Sequence, residues 1–213
     1  AGTCRLRFWA KLCTQDQRNR LILELVKVKT IMNLLQNLDM EILRFIYNNL
    51  RNPVIDRVMI AFTLLGDLGV VWILISLFLL ASKKYRKTGM MTICALILST
   101  VLGSGILKYL IQRPRPFVFD PAVEILISKP LSYSFPSGHT ASSFAAAGIL
   151  FRELKRYRIY AVVLATLIAF SRMYLFVHYP TDIIGGITLG LICSEIVIYS
   201  FSQYSGNAGK GSM

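Results

Sequence analysis

Long apolar runs separated by short charged stretches dominate this chain. Residues 59–81, 89–111, 157–177 and 182–202 are apolar over roughly the 17–25 residues that a membrane-crossing helix needs. A shorter run, residues 140–151, is rich in Ala, Ser and Gly, which allow close helix packing in lipid. Between residues 34 and 50, Leu34, Leu35, Leu38, Ile42, Phe45, Ile46 and Leu50 recur near helical spacing, while Asp39, Glu41 and Arg44 interrupt them. That pattern predicts an amphipathic helix lying along the interface. The pattern as a whole predicts an all-α fold, a polytopic transmembrane bundle of five to six spans with an N-terminal interfacial helix.

The ends differ from the middle. Residues 1–31 hold seven Lys/Arg, two acidic residues and no long apolar run. They read either as a segment foreign to the rest or as a basic interfacial helix. The Gly/Ser-rich residues 205–213 read as a flexible tail. The expected organisation is therefore a basic extension over 1–31, a membrane domain over 32–204 and a tail over 205–213.

Composition supports a lipid environment. The chain is 54% hydrophobic and only 16% charged, whereas soluble domains carry nearer a quarter. The net charge of +13 raises nucleic acid as a partner, but the basic residues cluster between apolar runs, as at 83–87 and 152–158. Such clusters mark cytoplasmic loops of membrane proteins, and no polar domain that could form a nucleic-acid face is visible. Placing both loops in the cytoplasm puts residues 112–139 and 178–182 together on the outer side. The four cysteines show no paired spacing and the chain has two histidines, so neither a zinc site nor a cofactor is expected.

The unusual polar residues fall on that outer side. Lys108 ends an apolar run, Arg113 and Arg115 follow in Arg-Pro-Arg-Pro, and Pro136-Ser137-Gly138-His139 opens the next helix. Arg172 closes another run, and His178 and Asp182 frame the turn into the last. Ionisable residues at membrane depth are costly and mark functional sites. Lys108, Arg115 and Arg172 call for an anion, and phosphate fits guanidinium forks best. Ser137 is a good N-cap, and the N–H groups of Gly138 and His139 suit an anion. Asp182 lies four residues after His178; it can accept the ring N–H and leave the other nitrogen free to attack phosphorus. His139 is then available to protonate the leaving oxygen. Arg113 either guides an anionic headgroup or sits at the interface.

These residues resemble the three-part signature of the type-2 phosphatidic acid phosphatase superfamily. The signature runs Lys-x6-Arg-Pro, Pro-Ser-Gly-His, then Ser-Arg-x5-His-x3-Asp, and is matched without departure by Lys108, Arg115, Pro116, residues 136–139, Ser171, Arg172, His178 and Asp182. The resemblance covers about residues 59–202. It implies that Lys108, Arg115, Ser137, Gly138 and Arg172 hold the phosphate, and that His178 forms a phosphohistidine oriented by Asp182. His139 would act as general acid and then activate water, with no metal. The implied substrate is a lipid phosphate or pyrophosphate. The short loops and outward site look most like small bacterial undecaprenyl pyrophosphate phosphatases of the cytoplasmic membrane. Phosphatidylglycerophosphate, phosphatidic acid and lipid A are the alternatives. An anion transporter or a non-catalytic lipid-binding protein belongs to a different class. A transport path would need polar residues along several spans, and here they gather at one end; Gly186 and Gly190 read instead as a helix-packing pair.

Overall fold

The computed structural model describes the backbone of residues 2–210 and the side chains of residues 17, 19, 20 and 22–204. Much of the basic extension 1–31 and the tail 205–213 therefore lies outside the described side chains, and residues 211–213 lie outside the described backbone. The chain divides into two units, Ala1–Glu41 and Ile42–Met213. Helix α1 (Gly2–Leu50) begins in the first unit, where Ile22, Leu23, Leu25 and Val26 are exposed and Lys27 pairs with Glu24.

The second unit is helical throughout its regular structure, with no strand among the described residues. Asn52 caps α2 (Pro53–Gly66) by accepting from the backbone N–H groups of Val54 and Ile55, and Pro53 supplies the preset φ of a first helical position. The apolar run over 59–81 is not one rod. It breaks at a short 3-10 turn, Asp67–Gly69, where Leu68 (φ 52°) and Gly69 (φ 70°) are left-handed. Beyond it α3 (Val70–Ala81) continues. Helix α4 (Arg86–Thr100) leads through a π-helical segment, Val101–Leu107, into α5 (Lys108–Ile111). The short α6 (Pro116–Phe119) precedes a long irregular segment. Then come α7 (Gly138–Glu153), α8 (Arg158–Tyr174) and α9 (Pro180–Lys210).

Among the described residues three stretches are long and apolar enough to cross a membrane: Pro53–Ala81, Arg86–Phe119 and Pro180–Tyr204. Their outward faces stay apolar, as Phe78, Leu74 and Ile184 show by their exposure, which suits lipid rather than water. Helices α7 and α8 are shorter, at 16 and 17 residues. The run expected over 157–177 ends at Tyr174, because residues 175–179 turn back toward the site.

Helix α7 is the hub, packed against α4, α8 and α9. Small residues make this possible. A Cβ on Gly190 would stand 2.5 Å from the Ala141 carbonyl oxygen, and one on Gly186 would stand 2.9 Å from that of Ser137. The pair thus lets α9 lie directly on the α7 backbone, as their spacing predicts. Ala145 is buried in the same seam, while Ala146 and Ala147 are buried on the other side of α7 with Trp72, Ala165 and Ile168. Trp72, fully buried, donates its indole N–H to Ser143 of α7 (2.9 Å). By connectivity, the loop between α3 and α4 and the loop between α7 and α8 lie at the far end of these helices from Lys108, His139 and Arg172.

Candidate active site

Two helix starts and one helix end converge to build the site. At α7, Ser137 is the N-cap and its Oγ accepts from the Thr140 N–H (3.4 Å) and hydroxyl (2.9 Å). At α9, Asp182 reaches back and accepts from the Tyr179 N–H (2.9 Å), a capping-box arrangement with Pro180 at the first position. The Ser137 N–H donates to the Asp182 carbonyl (3.2 Å), so the two starts are tied together. At the end of α8, left-handed Phe176 (φ 58°) reverses the chain, and the Val177 and His178 N–H groups donate back to the Arg172 carbonyl. One local turn therefore sets Arg172 and His178 side by side.

Every residue singled out from the sequence reaches this region. Lys108, Arg115, Gly138, His139, Arg172 and His178 line one cavity of about 1090 Å³, with Ser137 and Asp182 buried immediately behind it. Arg115 is held by five acceptors: the Ser132, Tyr133 and Val177 carbonyls, the Ser132 hydroxyl and His178 Nε2 (3.2 Å). Lys108 donates to the Ser132 hydroxyl (2.9 Å). Arg172 donates to Thr63, while its buried Nε has no partner among the described residues. A buried donor in this state retains capacity for a ligand.

Each ring nitrogen of His178 faces a partner. Nδ1 lies 3.5 Å from Asp182 Oδ2, and Nε2 receives an Arg115 N–H. A nitrogen that accepts carries no proton, so the ring is neutral with its proton on Nδ1. Burial agrees, pushing the His178 pKa down to about 3. Asp182 is fully buried; its Oδ2 also accepts from the Ser134 hydroxyl and its Oδ1 from Arg113 (2.7 Å).

Two contacts escaped the sequence reading. Arg113, whose sequence position left it to guide an anionic headgroup or to sit at the interface, stacks on the Tyr179 ring (3.8 Å) and donates to Asp182 and Thr181. Asp67 accepts from or shares a proton with His139 Nε2 at 2.7 Å. Its signal was available, because Asp67 is the only charged residue in the apolar run 59–81. Asp120 and Glu124, the acids nearest the motifs in sequence, face away: Asp120 pairs with Arg44 (3.0 Å) and the Glu124 backbone meets Arg51 and Tyr47.

The cavity is two-sided in character. Its polar end holds the cations and histidines, and its wall continues over Leu64, Ile73, Ile93, Leu96, Ile97 and Val101 of α2, α3, α4 and the π segment. That lining suits an amphiphile whose charged head is anionic.

Known proteins resemble this chain. The family model of the PAP2 superfamily matches residues 89–206. The chain is similar to an undecaprenyl-diphosphatase of Sulfolobus acidocaldarius, at 37% identity over 121 residues, covering 56% of this chain and 58% of that protein. It is 34% identical over 160 residues to phosphatidylglycerophosphatase B of Bacillus subtilis, covering 70% of this chain and 76% of that protein. The solved structure of LpxE from Aquifex aeolicus matches with a TM-score of 0.67 and 34% identity, over 76% of this chain and 95% of that one. A family match over more than half the chain, joined to a relative matched over most of its own length, settles the assignment: the chain belongs to the PAP2 superfamily.

Proposed function

We propose that the protein is a membrane lipid phosphatase that works through a phosphohistidine and needs no metal. The observation that carries this reading is the wiring of His178. Its proton faces Asp182, its lone pair is on Nε2, and that nitrogen stands beside Arg115 in a cavity that also holds Lys108 and Arg172. In the first half of the reaction Nε2 bonds to phosphorus as the bond to the leaving oxygen breaks. The electron pair stays on that oxygen, which takes a proton from His139. In the second half water bonds to phosphorus, its proton passes to His139, and the phosphorus–nitrogen pair returns to His178. Lys108, Arg115 and Arg172 carry the charge that builds on phosphate, the part a metal ion plays elsewhere. Ser137 and the Gly138 backbone complete the cradle at the α7 start.

The apolar wall supports a lipid as the substrate, and undecaprenyl pyrophosphate is the preferred one. The S. acidocaldarius relative bears that activity in its name, and the site lies at the end of the bundle opposite the basic loops, which favours the outer face. The bundle would then cross the membrane five to six times, with α7 and α8 as short crossings, in the bacterial cytoplasmic membrane. The B. subtilis relative makes phosphatidylglycerophosphate the second reading.

Phosphate release by purified protein, with chelator present, tests the proposal on undecaprenyl pyrophosphate, phosphatidylglycerophosphate, phosphatidic acid and lipid A. Turnover is expected without metal, and His178→Ala is expected to remove it, by about 10⁴-fold or more, with the melting temperature in detergent unchanged. A requirement for a divalent ion, or activity that survives His178→Ala, would defeat the reading.

A further inference from the structure

Asp67 stands outside the family signature, in the 3-10 turn between α2 and α3, and the reaction as written gives it no part. Its carboxylate nevertheless lies 2.7 Å from His139 Nε2. The turn that presents it is unusual, since two successive left-handed residues, Leu68 and Gly69, follow it. Gly66 clears the approach. A Cβ there would stand 2.7 Å from His139 Cδ2 and 2.6 Å from Ile168 Cγ2, so the ring edge bearing Cδ2 packs directly on the α2 backbone.

With Cδ2 against Gly66 and Nε2 on Asp67, the opposite edge of the ring, bearing Nδ1, is turned away from both. Nδ1 has no hydrogen-bond partner among the described residues, and the residue lines the cavity. The charged groups that act on this ring are Asp67 from the turn, Arg172 from α8 and Lys108 from α5. Two of the three are cations, which oppose any positive charge on the imidazole. Asp67 is the one anion among them.

We propose that Asp67 is the positioning residue of the acid–base histidine: it holds Nε2–H, so that His139 gives and takes the catalytic proton at Nδ1. The inference rests on the reading of His139 as general acid. The site then contains two carboxylate–histidine pairs wired in opposite senses. Asp182 faces Nδ1 of His178 and leaves Nε2 to attack phosphorus, whereas Asp67 faces Nε2 of His139 and leaves Nδ1 to meet the leaving oxygen. When His139 carries both protons, the Asp67 carboxylate offsets the ring's charge beside Arg172 and Lys108. When the proton leaves at Nδ1, the Nε2–H remains on Asp67 and the tautomer is already set for accepting a proton from water.

Leaving-group dependence tests this. An alkyl phosphate, whose oxygen must be protonated as it departs, is compared with p-nitrophenyl phosphate, whose phenolate departs without a proton. The quantity compared is kcat/KM, which reports the bond-breaking half-reaction alone. Asp67→Asn is expected to lower kcat/KM about 100-fold on the alkyl phosphate and less than about fivefold on the nitrophenyl ester, and Asp67→Glu to restore most of the loss. Asp67→Ala serves the same comparison if the asparagine variant is not recovered folded. Equal losses on both substrates, or no loss on either, overturn the proposal. His178→Ala, measured alongside, separates the two levels of failure. If it stays active, the phosphohistidine reading itself falls; if it is inactive while Asp67→Asn acts equally on both substrates, only the role of Asp67 falls.

Discussion

At one side of the cavity His178 is fixed from several directions. Arg115 occupies one nitrogen, Asp182 faces the other, and Asp182 is itself held by Ser134, the Tyr179 N–H and Arg113. His178 is 1% exposed and Asp182 wholly buried. Across the cavity His139 rests on a glycine and, among the described residues, makes one side-chain hydrogen bond, to a carboxylate that is about half exposed on a kinked turn. The contrast fits the roles proposed for the two histidines. A nucleophile must meet phosphorus along one line, and misplacement by an ångström costs about 100-fold. An acid–base group serves first the leaving oxygen and then water, and a lighter hold leaves it room for both.

The contrast predicts unequal responses to near-isosteric changes. Asp182→Asn has the largest expected effect. The amide can no longer accept at every point now served by Ser134, Tyr179 and Arg113, and one of its N–H groups will face a donor. His178 then loses the partner that keeps its proton on Nδ1. By the precedent of a buried aspartate behind a catalytic histidine, kcat should fall about 10³- to 10⁴-fold. Steady-state kinetics, with substrate affinity measured separately, would check this. A loss below about tenfold would mean that Asp182 is only a helix cap.

Much of this arrangement is legible in the sequence, and the physical reason is distance along the chain. Lys108 with Arg115, Ser137 with His139, and Arg172 with His178 are each close in sequence, so local turns and helix starts fix their geometry. Gly186 and Gly190 read as a helix-packing pair for the same reason, since four residues on a helix share a face, and the helix they pack on is α7. Arg113 and Asp182 lie 69 residues apart, and no periodicity links them. The break at Asp67–Gly69 was hidden because Leu68, a branched side chain in a continuous apolar run, adopts a positive φ. The charge of Asp67 within that run was the one visible clue.

The lighter side of the comparison can be broken without touching a charge. Gly66→Ala places a methyl 2.7 Å from His139 Cδ2 and 2.6 Å from Ile168, distances that no side chain tolerates. His139 is held by one hydrogen bond and can give way, whereas Ile168 is buried on α8. The ring should therefore swing, lowering kcat about 10- to 100-fold with little change in KM, while the contact with Ile168, which has no such escape, lowers the melting temperature as well. If stability falls and the residual kcat is normal, the ring is held more firmly than its contacts imply.

The smallest expected effect tests how much of the rigidity around His178 comes from beyond the signature. Arg113→Lys keeps a positive charge near Asp182 but replaces a planar fork with a single ammonium. The fork donates at once to Thr181 (2.6 Å) and Asp182 (2.7 Å) while its plane stacks on Tyr179; an ammonium can keep the charge but not that geometry. Asp182 would retain Ser134 and the Tyr179 N–H, so His178 keeps its tautomer and only the precision of its aim declines. Loss of such an outer support costs about tenfold to 100-fold in other sites, and the two remaining donors place this case at the lower end. The decline should appear in kcat on all substrates alike, because aiming the nucleophile matters whatever group departs. That uniformity is the opposite of the selectivity expected for Asp67→Asn, so measuring the two variants on the same alkyl and nitrophenyl phosphates separates support of the attacking histidine from control of the proton.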